Sequence, residues 1–150
     1  MSDLRDLYQE VILDHTKNPR NFHKMEAATN SARGHNPLCG DKLVVYLKLE
    51  NDTVKDISFE GSGCAISTAS ASMMTESLKG KTKRQAEALF QRFHELVTGK
   101  SESAEAEPAL GKLAVFSGVR EFPVRVKCAT LSWHTLRAAL ESHQTAVSTE

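Results

Sequence analysis

Apolar residues recur at helical spacing from the start of the chain. Leu4, Leu7, Tyr8, Val11, Ile12 and His15 share one face, which predicts an amphipathic helix over 3–15. Asn18-Pro19-Arg20-Asn21 ends it, because Asn-Pro favours a turn and proline disfavours helix at the residue before it. Residues 22–41 carry no sustained period beyond a short edge strand near 27–34. The period then drops to two: Leu43, Val45, Leu47 and Leu49 alternate with Val44, Tyr46, Lys48 and Glu50, as in a strand with one strongly apolar face. Asn51-Asp52 supplies a turn, and Ile57 and Phe59 alternate with Asp56, Ser58 and Glu60 in a second strand, completing an antiparallel hairpin. Val54-Lys55 breaks the alternation and marks the place for a bulge.

After Gly61-Ser62-Gly63 the pattern turns helical again. Ile66, Ala69, Met73 and Ser77 fall on one face, with Gly80 as the stop. Met73 and Met74 read as core fillers. Thr82-Lys83-Arg84-Gln85 fits a capping box, opening a helix whose Ala86, Leu89, Phe90, Phe93 and Val97 form one stripe. The Ser/Glu/Ala stretch 100–107 reads as a loop and 109–117 as a short helix. Pro123 marks a break, and Ala129, Trp133, Leu136 and Leu140 define a last helix starting near Cys128. Beyond Ser142 a flexible tail is expected. A helix, a small antiparallel sheet, then several helices make an α+β fold. The strand–helix alternation of a doubly wound fold is missing.

Composition narrows the function classes. With 150 residues the chain suits a single domain, 1–150. The 19 basic and 19 acidic side chains cancel, so net charge supports neither nucleic acid nor an anionic membrane as partner. Asp3, Arg5, Asp6 and Glu10 crowd the first ten residues, unlike a secretory signal. The longest aliphatic/aromatic run, Leu43 to Leu47, is far short of the roughly 20 residues a spanning helix needs. A cytoplasmic protein is expected. There, an odd count of three cysteines favours reduced thiols used for metal or chemistry over a disulfide framework.

The placement of those cysteines carries the chemistry. Cys39 lies in Asn36-Pro37-Leu38-Cys39-Gly40-Asp41, Cys64 in Gly61-Ser62-Gly63-Cys64, and Cys128 in Arg125-Val126-Lys127-Cys128. Each falls at the end of an expected element, and the first two sit beside glycine. A buried, inert thiol is the ordinary reading of one cysteine, but three in such positions argue against it. A helix N-terminus, expected at Cys64 and Cys128, favours thiolate. Asp41 can reach the same ion as Cys39 if Gly40 turns the chain. Three thiolates and a carboxylate supply the four donors of a tetrahedral zinc site, although their wide spacing matches no short zinc-finger pattern. Arg125 and Lys127 could offset the negative excess of such a site, or be solvated surface charges.

Together, NPLCGD at 36–41, GSGC at 61–64 and a cysteine opening the last helix resemble the iron–sulfur assembly scaffold family, which includes IscU and the N-terminal domain of NifU. Tyr8 through Asn21, ending HTKNPRN, resembles that family's opening helix and turn. Lys127 stands where IscU proteins carry histidine before the third cysteine, and the stretch around 91–112 is longer, which makes the chain look more like the SufU branch. The resemblance implies zinc held by Cys39, Asp41, Cys64 and Cys128. It also implies transfer of persulfide sulfur from a SufS-type, pyridoxal-phosphate-dependent cysteine desulfurase, with downstream iron–sulfur assembly proteins as further partners. In that branch a desulfurase histidine is thought to replace Cys39 on the zinc, freeing Cys39 as the nucleophile.

Two other readings use the same residues. One is a scaffold that assembles a [2Fe–2S] cluster and hands it on, since thiolates serve zinc and clusters alike. The other is a structural zinc domain used for docking. The six histidines show no metal spacing with one another, although His35 lies close to Cys39. The basic run Lys79, Lys81, Lys83 and Arg84 reads as a solvated turn and helix start.

Overall fold

The structure, a computed structural model, describes residues 2–37, 40–98, 113, 115–116, 119, 122–141 and 146–148. Helix α1 (Ser2–Lys17) leads into strands β1 (Asn30–Asn36), β2 (Asp41–Glu50) and β3 (Thr53–Ser62), followed by helices α2 (Ala65–Leu78), α3 (Lys83–Thr98) and α4 (Pro123–Leu140) and the short strand β4 (Ala146–Ser148). The sheet order is β3-β2-β1-β4. The first three strands are antiparallel neighbours, and β4 runs parallel to β1. This is the expected α+β arrangement. No helix among the described residues is long and apolar enough to cross a membrane.

The hairpin follows its alternation closely. Leu43, Val45 and Leu47 are buried on the core face of β2, opposite Gly61, Phe59 and Ile57 of β3. Asn51 and Asp52 both take positive φ, 52° and 62°, as a tight hairpin turn demands. Register shifts between Lys48, paired with Asp56, and Leu49, paired with Val54. Lys55 is therefore the extra residue of a bulge, where the alternation broke.

Three expectations change. The strand expected near 27–34 runs over Asn30–Asn36 and is not an edge, because β2 and β4 flank it. Part of the expected tail, Ala146–Ser148, supplies that second neighbour by pairing with Arg33, Gly34 and His35, which satisfies backbone groups that an edge would leave open. The last helix starts at Pro123, five residues before Cys128. A proline at the first helical position needs no N–H and has its φ preset for helix, so the residue expected to break the chain begins α4 instead. The loop 100–107 lies outside the described residues, as does most of 109–117. Leu113, Val115, Phe116 and Val119 are buried.

Helices α2 and α4 hold the site in place. Nine of the residues of α2 are buried, on nearly every face, because its Ser and Ala side chains let neighbours approach closely. Ser70 Oγ donates to the Ala129 carbonyl at 2.6 Å and accepts from Trp133 Nε1 at 3.1 Å, tying α2 to α4. Trp133 stacks on Phe93 of α3 with centroids 4.6 Å apart. On the other side, buried His15 meets Ser72 Oγ through Nδ1 at 2.7 Å, fixing α1 against α2. The capping box is present: the Thr82 N–H donates to Gln85 Oε1 at 2.9 Å and the Gln85 N–H to Thr82 Oγ1 at 3.1 Å. From the basic run, Lys79 pairs with Asp56 at 3.3 Å and donates to Asn21 Oδ1 at 2.9 Å.

Candidate metal centre

Three segments converge at one end of the sheet. Asp41 is the first residue of β2 and pairs with Asn36, the last of β1. Both are fully buried. Between them the Gly40 N–H donates to the Asn36 carbonyl at 2.8 Å, and Gly40 takes φ +73°, the left-handed turn glycine adopts without strain. The chain is thus turned at Gly40, directly before Asp41. Cys39 itself lies outside the described residues.

Cys64 follows β3 as the N-cap of α2, and its Sγ accepts the Ser67 N–H at 3.4 Å. Asp41 Oδ1 accepts the Cys64 N–H at 2.8 Å, while Oδ2 lies 3.8 Å from Cys64 Sγ. Gly63 permits this approach, since a Cβ there would stand 2.6 Å from Asp41 Oδ1. Cys128, buried in the second turn of α4, receives Asn36 Nδ2 on its Sγ at 3.7 Å. Its thiol therefore reaches the site from inside a helix, not from the orphan N–H groups of a helix start.

One ligand atom from each of Asp41, Cys64 and Cys128 lies within 4.8 Å of the others. Atoms so disposed could hold one divalent ion, since zinc bonds sulfur at about 2.3 Å and oxygen at about 2.0–2.2 Å. The carboxylate supplies an independent test of fit. Burying an ionised carboxylate is costly unless a positive charge compensates it, and among the described residues no basic side chain pairs with Asp41. Two thiols and a buried, unpaired carboxylate suit a divalent cation. Asp41, Cys64 and Cys128 are positioned to bind a metal ion.

The remaining candidates separate. Arg125 is exposed, with its guanidinium 4.8 Å from the centre of the Phe122 ring. Lys127 is half-buried, directly before Cys128. His35 alternates with buried Asn36 and so faces the other side of the sheet. Asn36 and Gly63 were not anticipated as part of the site. Their only sequence signal was membership of the motifs NPLCGD and GSGC; the contact from Asn36 to Cys128 spans 92 residues.

The fold and this donor set define a class. The chain belongs to the NifU-like N terminal domain family, which it matches over residues 7–129. It is 41% identical over 143 residues to the zinc-dependent sulfurtransferase SufU of Bacillus subtilis, covering 95% of each chain. It is 40% identical over 141 residues to the iron–sulfur cluster assembly scaffold protein IscU of Streptococcus pyogenes serotype M1, covering 94% of this chain and 87% of that one. Among solved structures, a protein of Fervidobacterium islandicum AW-1 described as an iron–sulfur cluster assembly scaffold for the SUF system superposes with a TM-score of 0.78 at 36% identity, covering 89% of this chain and 96% of that one. Two of these three proteins are named for iron–sulfur cluster assembly and the third for zinc-dependent sulfur transfer.

Proposed function

We propose that this chain is a zinc-dependent sulfur carrier that accepts persulfide sulfur from a SufS-type cysteine desulfurase and passes it to downstream iron–sulfur assembly proteins. The observation that carries the reading is the buried Asp41 carboxylate with two thiols gathered around it and Cys39 two residues away. Cys39 is the fourth ligand in this reading and also the nucleophile. Zinc, when bound, keeps its cysteine ligands as thiolates at neutral pH. The Cys39 thiolate attacks the terminal sulfur of the enzyme's persulfide; one S–S bond breaks, one forms, and the enzyme's cysteine leaves as thiolate. Asp41, Cys64 and Cys128 keep the centre assembled while Cys39 carries the sulfur. Arg125 and Lys127 offset the negative charge that three thiolates and a carboxylate leave around one divalent ion. We place the reaction in the cytoplasm, where thiols remain reduced.

The second reading, a scaffold for a [2Fe–2S] cluster, uses the same donors, and the relative from Streptococcus pyogenes is named an iron–sulfur cluster assembly scaffold protein. A paired assay separates them: metal and acid-labile sulfide in the purified protein, and desulfurase turnover with wild type and Cys39→Ala. Zinc without sulfide, together with loss of stimulation in Cys39→Ala, supports sulfur transfer. Iron with stoichiometric sulfide, or full stimulation by Cys39→Ala, refutes it.

A further inference from the structure

The face of the sheet turned away from the helices carries an open cleft of about 570 Å³, within the range of small-ligand sites. Two cross-strand rows form it. One runs Arg33–Val44–Glu60 and the other His35–Lys42–Ser62, through register pairs of β1 with β2 and of β2 with β3. Arg33 and Lys42 are exposed, and among the described residues neither has an ion-pair partner. The single carboxylate of the lining, Glu60, already accepts the Tyr46 hydroxyl. Burial, then Glu60, pushes the Tyr46 phenol up to about 12, so Tyr46 remains an uncharged donor. The cleft therefore offers two cations without an ion-pair partner and an imidazole, beside the one carboxylate of Glu60, around an apolar floor at Val44.

We propose that this cleft binds a small organic dicarboxylate. Arg33 and Lys42 are diagonal neighbours across β1 and β2, about 7–8 Å apart at the backbone, so each can hold a separate carboxylate. Two carboxylates on a short carbon chain match that spread: one is held by Arg33 and the other by Lys42 and His35, with the chain over Val44. The site is distinct from the metal centre, because its side chains lie on the opposite face of the sheet. It adjoins the centre through the backbone, since the pair His35–Lys42 is next in register to Asn36–Asp41.

The test is titration of the metal-loaded protein with succinate, followed by backbone amide chemical shifts, with sulfate as the compact-anion control. Saturable shifts at positions 33–35, 42–44 and 60–62 are expected. Arg33→Ser and Lys42→Ser should each weaken binding about tenfold, as loss of one charge-assisted contact at an open site would. Melting temperatures of these surface variants should match wild type, which separates lost binding from lost fold. The proposal is overturned if sulfate binds as well as succinate, or if shifts centre on 41, 64 and 128 through chelation. It is equally overturned if both variants bind like wild type, or if the variants lose only a protein partner while no dicarboxylate binds.

Discussion

Asp41 and Cys64 hold each other at two points. One carboxylate oxygen accepts the Cys64 backbone N–H at 2.8 Å, and the other lies 3.8 Å from its sulfur. The carboxylate thus orients the N-cap residue of α2 while remaining available as a ligand. Groups that aim a ligand typically matter to affinity nearly as much as the ligand does.

Gly63→Ala tests this directly, because it removes no donor. The added Cβ would sit 2.6 Å from Asp41 Oδ1 and 3.1 Å from its Cγ, so the carboxylate must move. Zinc affinity, measured by competition with a chromophoric chelator, should fall roughly 10–100-fold, the usual cost of misdirecting a ligand. Asp41→Ala should weaken zinc at least as much. Unchanged affinity in Asp41→Ala would remove this carboxylate from the ligand set.

The capping box at the start of α3 predicts a modest loss of stability away from the site. Thr82→Ala removes the acceptor of the Gln85 N–H and should cost about 1 kcal/mol in urea unfolding, with metal affinity unchanged. A cost near zero would mean that water replaces the cap fully.

Phe93 is buried between Trp133 and Phe116, with ring centroids at 4.6 Å and 5.6 Å. Phe93→Ala should destabilise the fold by about 3–5 kcal/mol through the lost transfer energy and the cavity left behind. It should also change the emission of Trp133, the one tryptophan. Wild-type stability would contradict the packing of α3 on α4.

His134 makes stability depend on pH. Burial, followed by the charges of His94 and Arg137, holds its imidazole below the usual 6.5, and the His94 and His134 rings sit 5.8 Å apart. The unfolded chain therefore takes up a proton at a pH where the fold does not. The stabilisation is fully present above 6.5 and declines as pH falls from there through the lowered folded value. Urea midpoints of the zinc-saturated protein should drop between pH ~7.5 and pH ~5.5 more steeply for wild type than for His134→Gln. Equal slopes would sink the assignment.

Much of this architecture is legible in the sequence because local rules and tertiary packing agree. Two-residue alternation marks β2 and β3, Val54-Lys55 marks the bulge, and Thr82 with Gln85 marks the start of α3. Other features depend on distant partners. Pro123 reads equally well as a stop or as a first helical residue, and only the packing of Val126 and Cys128 inside decides for the latter. Strand β4 needs the side of β1 as a template, and three residues carry too little pattern to announce it. Asn36 looks like a loop residue until β1 carries it to Cys128. The histidines 94 and 134, scattered in the chain, meet only because α3 packs on α4.

The most direct test of sulfur transfer is to locate the sulfur. The zinc-loaded protein, mixed with a SufS-type desulfurase and cysteine, is alkylated and mapped by peptide mass spectrometry. One added sulfur atom on Cys39 is expected, with Cys64 and Cys128 unmodified and zinc retained. Sulfur on Cys64 or Cys128 in place of Cys39, or none on any of the three, would contradict it.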